Sequence, residues 1–560
     1  MTAIGQTTNS SAVRKPRQRS RFFFLAICAG VSSLSSKAQA VITFGGSGSN
    51  TSAFPGNVAN YEGIFNAFYT GTPISSTILA TATHLTPGTT TQFVYNNGGA
   101  TATTYAIQQA ATLDDLALWQ IAPNQTATFS NVAPIYTGNT EIGSSIVDAG
   151  RGYTRGAAIP GGWSWDNATG QLNWGANTIA SVDTNTQLNT AGAQGGDYLQ
   201  FNFTNQDPLS PTYNPNEAII TPFDSGGGLF INVGGQYQLA GVNSMVDSVT
   251  DSAGNAIQGS LYNTNGYYAT SLLTGAPTLI TTSAPENSYA VRISSKQNFV
   301  GLVDGTIPAS QAAQYPISDD GLLAVYSNLT LGAVTGGASL QVGSSVVSAT
   351  LKIAPNSGTS ILNGLNIYRN STLDITNNAI IINGAANTTT EAWILHRLAS
   401  GYNNGLWNGA GISSSTAAQD PGVYGVGFVT ASDPGVTGLT IGQAEIAYTL
   451  DGDANLDGQV NGIDFAIIVD NFNKAAPDGW ADGDFNYDGS VNGADLALFG
   501  QNFNTGVNSH ISSADLQVYD TFIADNGLAQ DVPEPSAAIP VIAIAALCAA
   551  GGHRKLSPNR

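Results

Sequence analysis

The sequence predicts a mainly β chain of several domains, and three observations point there. Glycine is abundant, at 65 of 560 residues. Charged residues make up 10%, against about 25% in ordinary globular domains. Apolar and polar residues alternate in short runs closed by Gly, Asn and Ser, the period-two signature of strands between turns. Composition also sets off two apolar end segments, 1–40 and 532–560, which hold nine of the 17 Lys and Arg side chains and one of the 37 acids. The body between them keeps eight basic and 36 acidic residues. Such a surface repels phosphate backbones, which excludes nucleic acid as a partner. Both cysteines, Cys28 and Cys548, fall in the end segments. Thiol catalysis, zinc fingers, Fe–S ligation and disulfide frameworks are thereby excluded for the body.

In residues 1–40, Arg14, Lys15, Arg17, Arg19 and Arg21 lead into the apolar run 22–31, and Ala38-Gln39-Ala40 follows. That is the layout of a secretory signal peptide cleaved after Ala40. Ten apolar residues are too few to span about 30 Å of hydrocarbon. The exported chain is then expected to begin at Val41.

Residues 41–280 carry three short motifs: Thr81-Ala82-Thr83-His84 after an apolar strand, Leu113-Asp114-Asp115-Leu116 opening another, and Asp224-Ser225-Gly226-Gly227-Gly228 before a third. A serine hydroxyl is a poor nucleophile until an imidazole removes its proton, and the imidazole needs a carboxylate to orient it. His84 is the only histidine in this region. If a base-activated serine operates here, His84 is the base and Ser225 the nucleophile, with Asp115 or Asp114 as the orienting acid. The glycines after Ser225 permit a tight turn in which backbone N–H groups face a developing oxyanion.

Taken together and in this order, the motifs resemble the chymotrypsin/trypsin family of serine proteases. The resemblance implies a double β-barrel and hydrolysis of a protein or peptide substrate, and it selects Asp115 over Asp114. It places the oxyanion donors on Phe223 and Ser225, with Phe223 standing where the family carries glycine. Leu239-Ala240-Gly241-Val242-Asn243-Ser244 resembles the strand lining the substrate cleft, which makes Ser244 a substrate-binding residue. Ile219, six residues before Ser225, falls near the base of the specificity pocket and implies no preference for Lys or Arg. The family also implies that a freed amino group at Val41 pairs with Asp224.

Residues 281–450 alternate in runs such as Ser339-Leu340-Gln341-Val342 and Leu373-Asp374-Ile375-Thr376, which predict a β-rich spacer built as a sandwich or a small solenoid. Helical spacing appears only at 391–400. His396 stands alone there and is expected as a packed or surface residue.

In 451–505 a duplication begins with Asp453-Ala454-Asn455-Leu456-Asp457-Gly458 and repeats 31 residues later as Asp484-Phe485-Asn486-Tyr487-Asp488-Gly489. Oxygen-bearing residues recur at loop positions 1, 3, 5, 9 and 12, with glycine at 6 and a backbone carbonyl at 7, as a hard cation requires. The ligands expected for Ca²⁺ are Asp453, Asn455, Asp457, Gln459, Asn461 and Asp464, then Asp484, Asn486, Asp488, Ser490, Asn492 and Asp495. Short apolar helices follow at 465–472 and 496–503. One loop plus one helix, twice, resembles the dockerin type I pattern. The resemblance implies a cohesin-like partner read at Gly462-Ile463 and Gly493-Ala494.

At 532–560, Val532-Pro533-Glu534-Pro535 precedes the apolar run 537–550 and His553-Arg554-Lys555. This resembles a PEP-CTERM sorting tail and implies an exosortase-type processing enzyme and a cell-surface or extracellular location. The leading functional reading is an exported serine endopeptidase with a calcium-dependent docking module. A non-catalytic surface or scaffold-bound protein, its protease fold decayed, is the first alternative. A dockerin-bearing component of polysaccharide degradation is the second, although no distinctive carboxylate pair of the kind it needs is legible.

Overall fold

A computed structural model describes residues 41–532, apart from 46–47, 49, 51–52, 86–89, 97–100, 169, 184–196, 205–212, 271–276, 385–387, 477–478, 507–511 and 530–531. The signal peptide expected at 1–40, and all but Val532 of the sorting tail expected at 532–560, lie outside the described residues. The architecture is mainly β, with two closed six-stranded barrels followed by parallel coils and a small helical unit.

In the first barrel the long strand Thr103–Leu113 pairs with Thr90–Tyr95 on one side and Leu116–Ile121 on the other. Gly63–Phe65, Tyr69–Pro73 and Ile78–Ala82 complete the ring. One face of its strands carries the buried Phe65, Leu79, Phe93 and Trp119. The second ring runs Asn173–Asp183, Tyr198–Asn202, Asn287–Arg292, Gln236–Val246, Gly228–Val233 and Ser145–Gly150. Leu199, Phe201, Leu229, Ala240 and Ala290 fill it. Its strand Asn287–Arg292 lies past residue 280, within the stretch expected as the β-rich spacer.

The region expected as a spacer is a solenoid. Leu322–Val325, Ser339–Val342 and Gly364–Ile367 stack in parallel on one face. Leu329–Leu331, Thr350–Ile353, Thr372–Asp374 and Gly411–Ser413 do so on another. The first face is not separate from the barrel. Leu322–Val325 pairs antiparallel with Thr103–Leu113, in the register Leu323 opposite Leu113, and extends the barrel sheet directly. The predicted helix is longer than its spacing suggested, Thr388–Tyr402, and His396 lies exposed on it.

After the hairpin Tyr424–Thr430 and Ala444–Leu450 come the two loops and their helices, Gly462–Asn471 and Gly493–Asn502. Each helix starts three residues before the expected position. Asn461 and Asn492 cap them, accepting from the N–H of Ile463 and Ala494 at 2.8 Å, so helical geometry sets in at once. A further helix, Ser513–Asp525, packs over both through Tyr519 and Phe522. Among the described residues no helix is long and apolar enough to cross a membrane.

Candidate active site

The short 3₁₀ turn Thr83–Leu85 continues the strand Ile78–Ala82 and carries His84 to the rim of the first barrel. Asp115 stands beside it in the tight turn between Thr103–Leu113 and Leu116–Ile121. His84 Nδ1 lies 3.0 Å from both carboxylate oxygens of Asp115, and the His84 backbone N–H donates to Oδ1 at 3.1 Å. The Thr83 N–H donates to the Asp115 carbonyl at 2.8 Å. Asp115 is 1% exposed, whereas the His84 side chain keeps 32% of its surface. Burial alone would lower the His84 pKa, but the Asp115 charge and hydrogen bond outweigh it and hold the imidazole above its ordinary 6.5.

Ser225 comes from the second barrel, on the turn before Gly228–Val233. Gly226 has φ +84°, and a Cβ there would lie 2.3 Å from the Thr70 carbonyl and from Thr81 Oγ1. Glycine is therefore what lets this loop seat against the first barrel near the His84 turn. The Ser225 hydroxyl donates to the Ser244 carbonyl at 3.4 Å. Among the described residues no hydrogen bond joins it to the His84 ring, and none within the protein uses the N–H of Phe223 or Ser225. Phe223 has φ +77°. Its ring is held by Phe68 at 4.9 Å, Tyr153 at 5.2 Å and Tyr69 at 5.9 Å between centroids.

Ser244, expected to bind substrate, turns its hydroxyl to Asp115 Oδ2 and so buttresses the carboxylate. Ile219, expected near the specificity pocket, pairs with Ile42 and is 1% exposed, packed with Phe203 in a small core. Asp114, the rival acid, faces away from His84 and bonds to Lys296.

Beneath the serine loop, Asp224 is fully buried. It accepts from the Gly152 N–H at 2.6 Å, from the Thr221 N–H at 2.7 Å, and from the backbone of Val41. Burial nevertheless pushes its pKa up to about 6. Glu62 accepts from Thr72 Oγ1 at 2.9 Å and the Gly228 N–H at 3.2 Å, and burial pushes it up to about 8. Glu62 and the Phe68–Tyr69–Tyr153 cradle were missed by sequence reasoning. They are isolated residues, brought to the site only by barrel closure.

In the two loops the acids fold inward. Asp453 accepts from the Asp457 N–H at 3.1 Å and the Gly458 N–H at 3.0 Å, and Asp464 from the N–H groups of Ala454 and Asn461 at 2.9 Å. The second loop repeats the pattern with Asp484 and Asp495. Burial pushes Asp464 up to about 8 and Asp495 to about 7. Among the described residues no Lys or Arg forms an ion pair with these carboxylates, and no three His, Cys, Asp or Glu side chains converge as a metal cluster by themselves. The donor set of each loop also draws on Asn, Ser or Gln positions and carbonyl oxygens. Oxygen alone, without nitrogen or sulfur, fits a hard cation such as Ca²⁺. The helix Ser513–Asp525 lies beside the first expected recognition position: a Cβ on Gly462 would be 3.5 Å from the Asp515 carboxylate, and one on Gly493 would be 3.2 Å from Leu528.

No curated protein matches the chain. Among solved structures, the MamO protease domain from Magnetospirillum magneticum in its apo form is similar, at 14% sequence identity and a TM-score of 0.26, with 44% of this chain and 96% of that chain covered. Residues 451–504 match the family model of the Dockerin type I domain, a calcium-binding module.

Proposed function

We propose that the two-barrel region is a serine endopeptidase in which Ser225 is the nucleophile, His84 the general base and Asp115 the group that orients it. The observation that carries this reading is the His84–Asp115 pair, at 3.0 Å on one barrel, with Ser225 brought to the same rim by the other. With its Nδ1 proton given to Asp115, the imidazole keeps Nε2 free to accept. Attack requires the Ser225 hydroxyl to turn from the Ser244 carbonyl to Nε2. The Ser225 oxygen then bonds to the scissile carbonyl carbon and its proton passes to His84. The N–H groups of Phe223 and Ser225 receive the negative oxygen. His84 returns the proton to the departing amine, and water, deprotonated by His84, releases the acyl group.

In the same reading the protein is exported through residues 1–40 and sorted to the surface by 532–560, which an exosortase-type enzyme cuts. Asp453, Asn455, Asp457, the Gln459 carbonyl and Asp464 would hold one Ca²⁺, with their counterparts in the second loop holding another. The bound ions neutralise buried carboxylates. Asn461 and Asn492 serve as helix caps in this arrangement. A cohesin-like partner approaching Gly462-Ile463 or Gly493-Ala494 would meet the segment 513–528 of the chain itself.

The Ser225 hydroxyl bonded to Ser244, together with a bulky residue at φ +77°, favours the second reading, a non-catalytic surface protein that has kept the fold. A fluorophosphonate probe separates the two, because only an activated serine reacts. The calcium-loaded mature protein should be labelled at Ser225, and Ser225→Ala should abolish labelling and peptide hydrolysis with little loss of stability. A folded wild-type protein that stays unlabelled overturns the peptidase reading.

A further inference from the structure

The acid beside Asp115 has a partner set of its own. Asp114 is 1% exposed at the tip of the hairpin, and its carboxylate takes the Lys296 ammonium at 2.5 Å. The same ammonium reaches Asp319 at 3.0 Å. The three side chains come from three parts of the chain. Asp114 belongs to the first barrel. Lys296 closes the turn Ser294–Lys296 directly after the last strand of the second barrel. Asp319 follows the strand Ile317–Ser318 at the start of the solenoid.

Backbone contacts reinforce this junction. The Asp114 N–H donates to the Leu322 carbonyl at 3.0 Å, next to the pairing of Leu323 with Leu113. A Cβ on Gly321 would fall 1.5 Å from Asp114 Oδ1, so only glycine lets the solenoid loop close over this carboxylate. Asp319 in turn braces that loop by accepting from the Gly321 N–H at 2.9 Å. Asp114 and Asp115 are thus anchored in opposite directions, one to Lys296 and the solenoid, the other to His84 and Ser244.

We propose that Lys296, clamped between Asp114 and Asp319, is a positioning residue that fixes the hairpin tip and so aims Asp115 at His84. The solenoid is then part of the catalytic framework. This rests on the reading of His84, Asp115 and Ser225 as a triad. A buried ammonium is costly unless paired, and here two carboxylates surround it. Burial alone would lower its pKa, but Asp114 and Asp319 hold it above the ordinary lysine value. Tyr198 of the second barrel faces the same group, and burial together with Asp115, Asp114 and Asp319 keeps its hydroxyl protonated. Loss of the clamp frees a two-residue turn whose displacement by about 1 Å would cost on the order of 100-fold in rate.

The test compares the full-length calcium-loaded protein with two variants, Lys296→Met and Lys296→Met/Asp114→Asn/Asp319→Asn. The triple variant removes the stranded charges that could otherwise unfold the single one. The second-order rate of labelling by a fluorophosphonate probe is measured across pH on folded protein. Both variants should label on the order of 100-fold more slowly. The acid limb of the profile should also move down toward the ordinary value of 6.5, because His84 is less tightly paired. A purely structural role would lower the folded fraction and leave that midpoint in place. A folded triple variant with wild-type rate and profile overturns the proposal and leaves the triad standing. A wild-type protein that is never labelled overturns both.

Discussion

At the scale of single residues, the sharpest departure from expectation is Phe223. A bulky residue at φ +77° costs about 1–3 kcal/mol, and three aromatic neighbours, each worth about 0.5–1.5 kcal/mol, offset it. The ring is held so that the backbone takes the conformation a glycine would reach unaided. In the proposed peptidase, His84 and Asp115 would set the pH behaviour. The base must be neutral to act, and Asp115 raises the pKa of the imidazole above 6.5. Activity should therefore fall as pH drops through a midpoint above 6.5. Asp115→Asn should lower that midpoint and reduce turnover by up to about 10,000-fold. The pH dependence of kcat/KM for both proteins checks this, and an unchanged midpoint in Asp115→Asn contradicts it. Stability runs the other way. A raised folded-state pKa makes the pair's contribution full below 6.5 and lost as pH rises through the folded value.

At the scale of elements, the calcium loops are built into the end of the solenoid. Trp480, fully buried, rests on the strand Tyr424–Thr430. A Cβ at Gly425 would come within 2.9 Å of its ring, and one at Gly427 within 2.7 Å of the indole nitrogen. The Trp480 N–H donates to the Asp453 carbonyl at 2.7 Å, and the Tyr487 hydroxyl to the Val426 carbonyl at 2.6 Å. The first loop residue therefore touches the indole that docks the module. Calcium at a hundredfold excess over Kd should add about 2.7 kcal/mol per site. Chelation should lower the thermal midpoint and shift tryptophan emission as Trp480 loosens. Calorimetry and fluorescence with and without EDTA measure both, and identical traces would refute the coupling.

At the scale of the whole molecule, the amino-terminal strand reaches the loop that carries Ser225. Ile42–Thr43 pairs with Ala218–Ile219, and the backbone of Val41 bonds to the buried Asp224, immediately before Ser225. Cleavage after Ala40 would turn that N–H into an ammonium facing a carboxylate. A broken buried pair costs about 3 kcal/mol or more, roughly a hundredfold in the ordered population. Protein beginning at Val41 should hydrolyse peptides on the order of 100-fold faster than protein carrying one extra alanine before it. Equal kcat/KM for the two would rule out the pairing.

What the sequence by itself determined is local. The oxygen-bearing residues of the two loops recur at fixed spacing in one contiguous stretch, and so do the turn glycines and the alternation of the strands. Their chemistry can be read without knowing what they pack against. His84, Asp115 and Ser225 could be singled out as candidates because each sits in a short motif. Ser244, Ile219, Glu62 and Lys296 were not, since their roles depend on which side chains face them across barrels and coils. Only the tertiary structure decided that Ser244 supports Asp115 and that Ile219 is core. It likewise decided that the solenoid continues the first barrel's sheet. Strand pairing joins residues about 200 positions apart, such as Leu113 and Leu323, through backbone hydrogen bonds that any sequence can make, so no pattern in the side chains announces them.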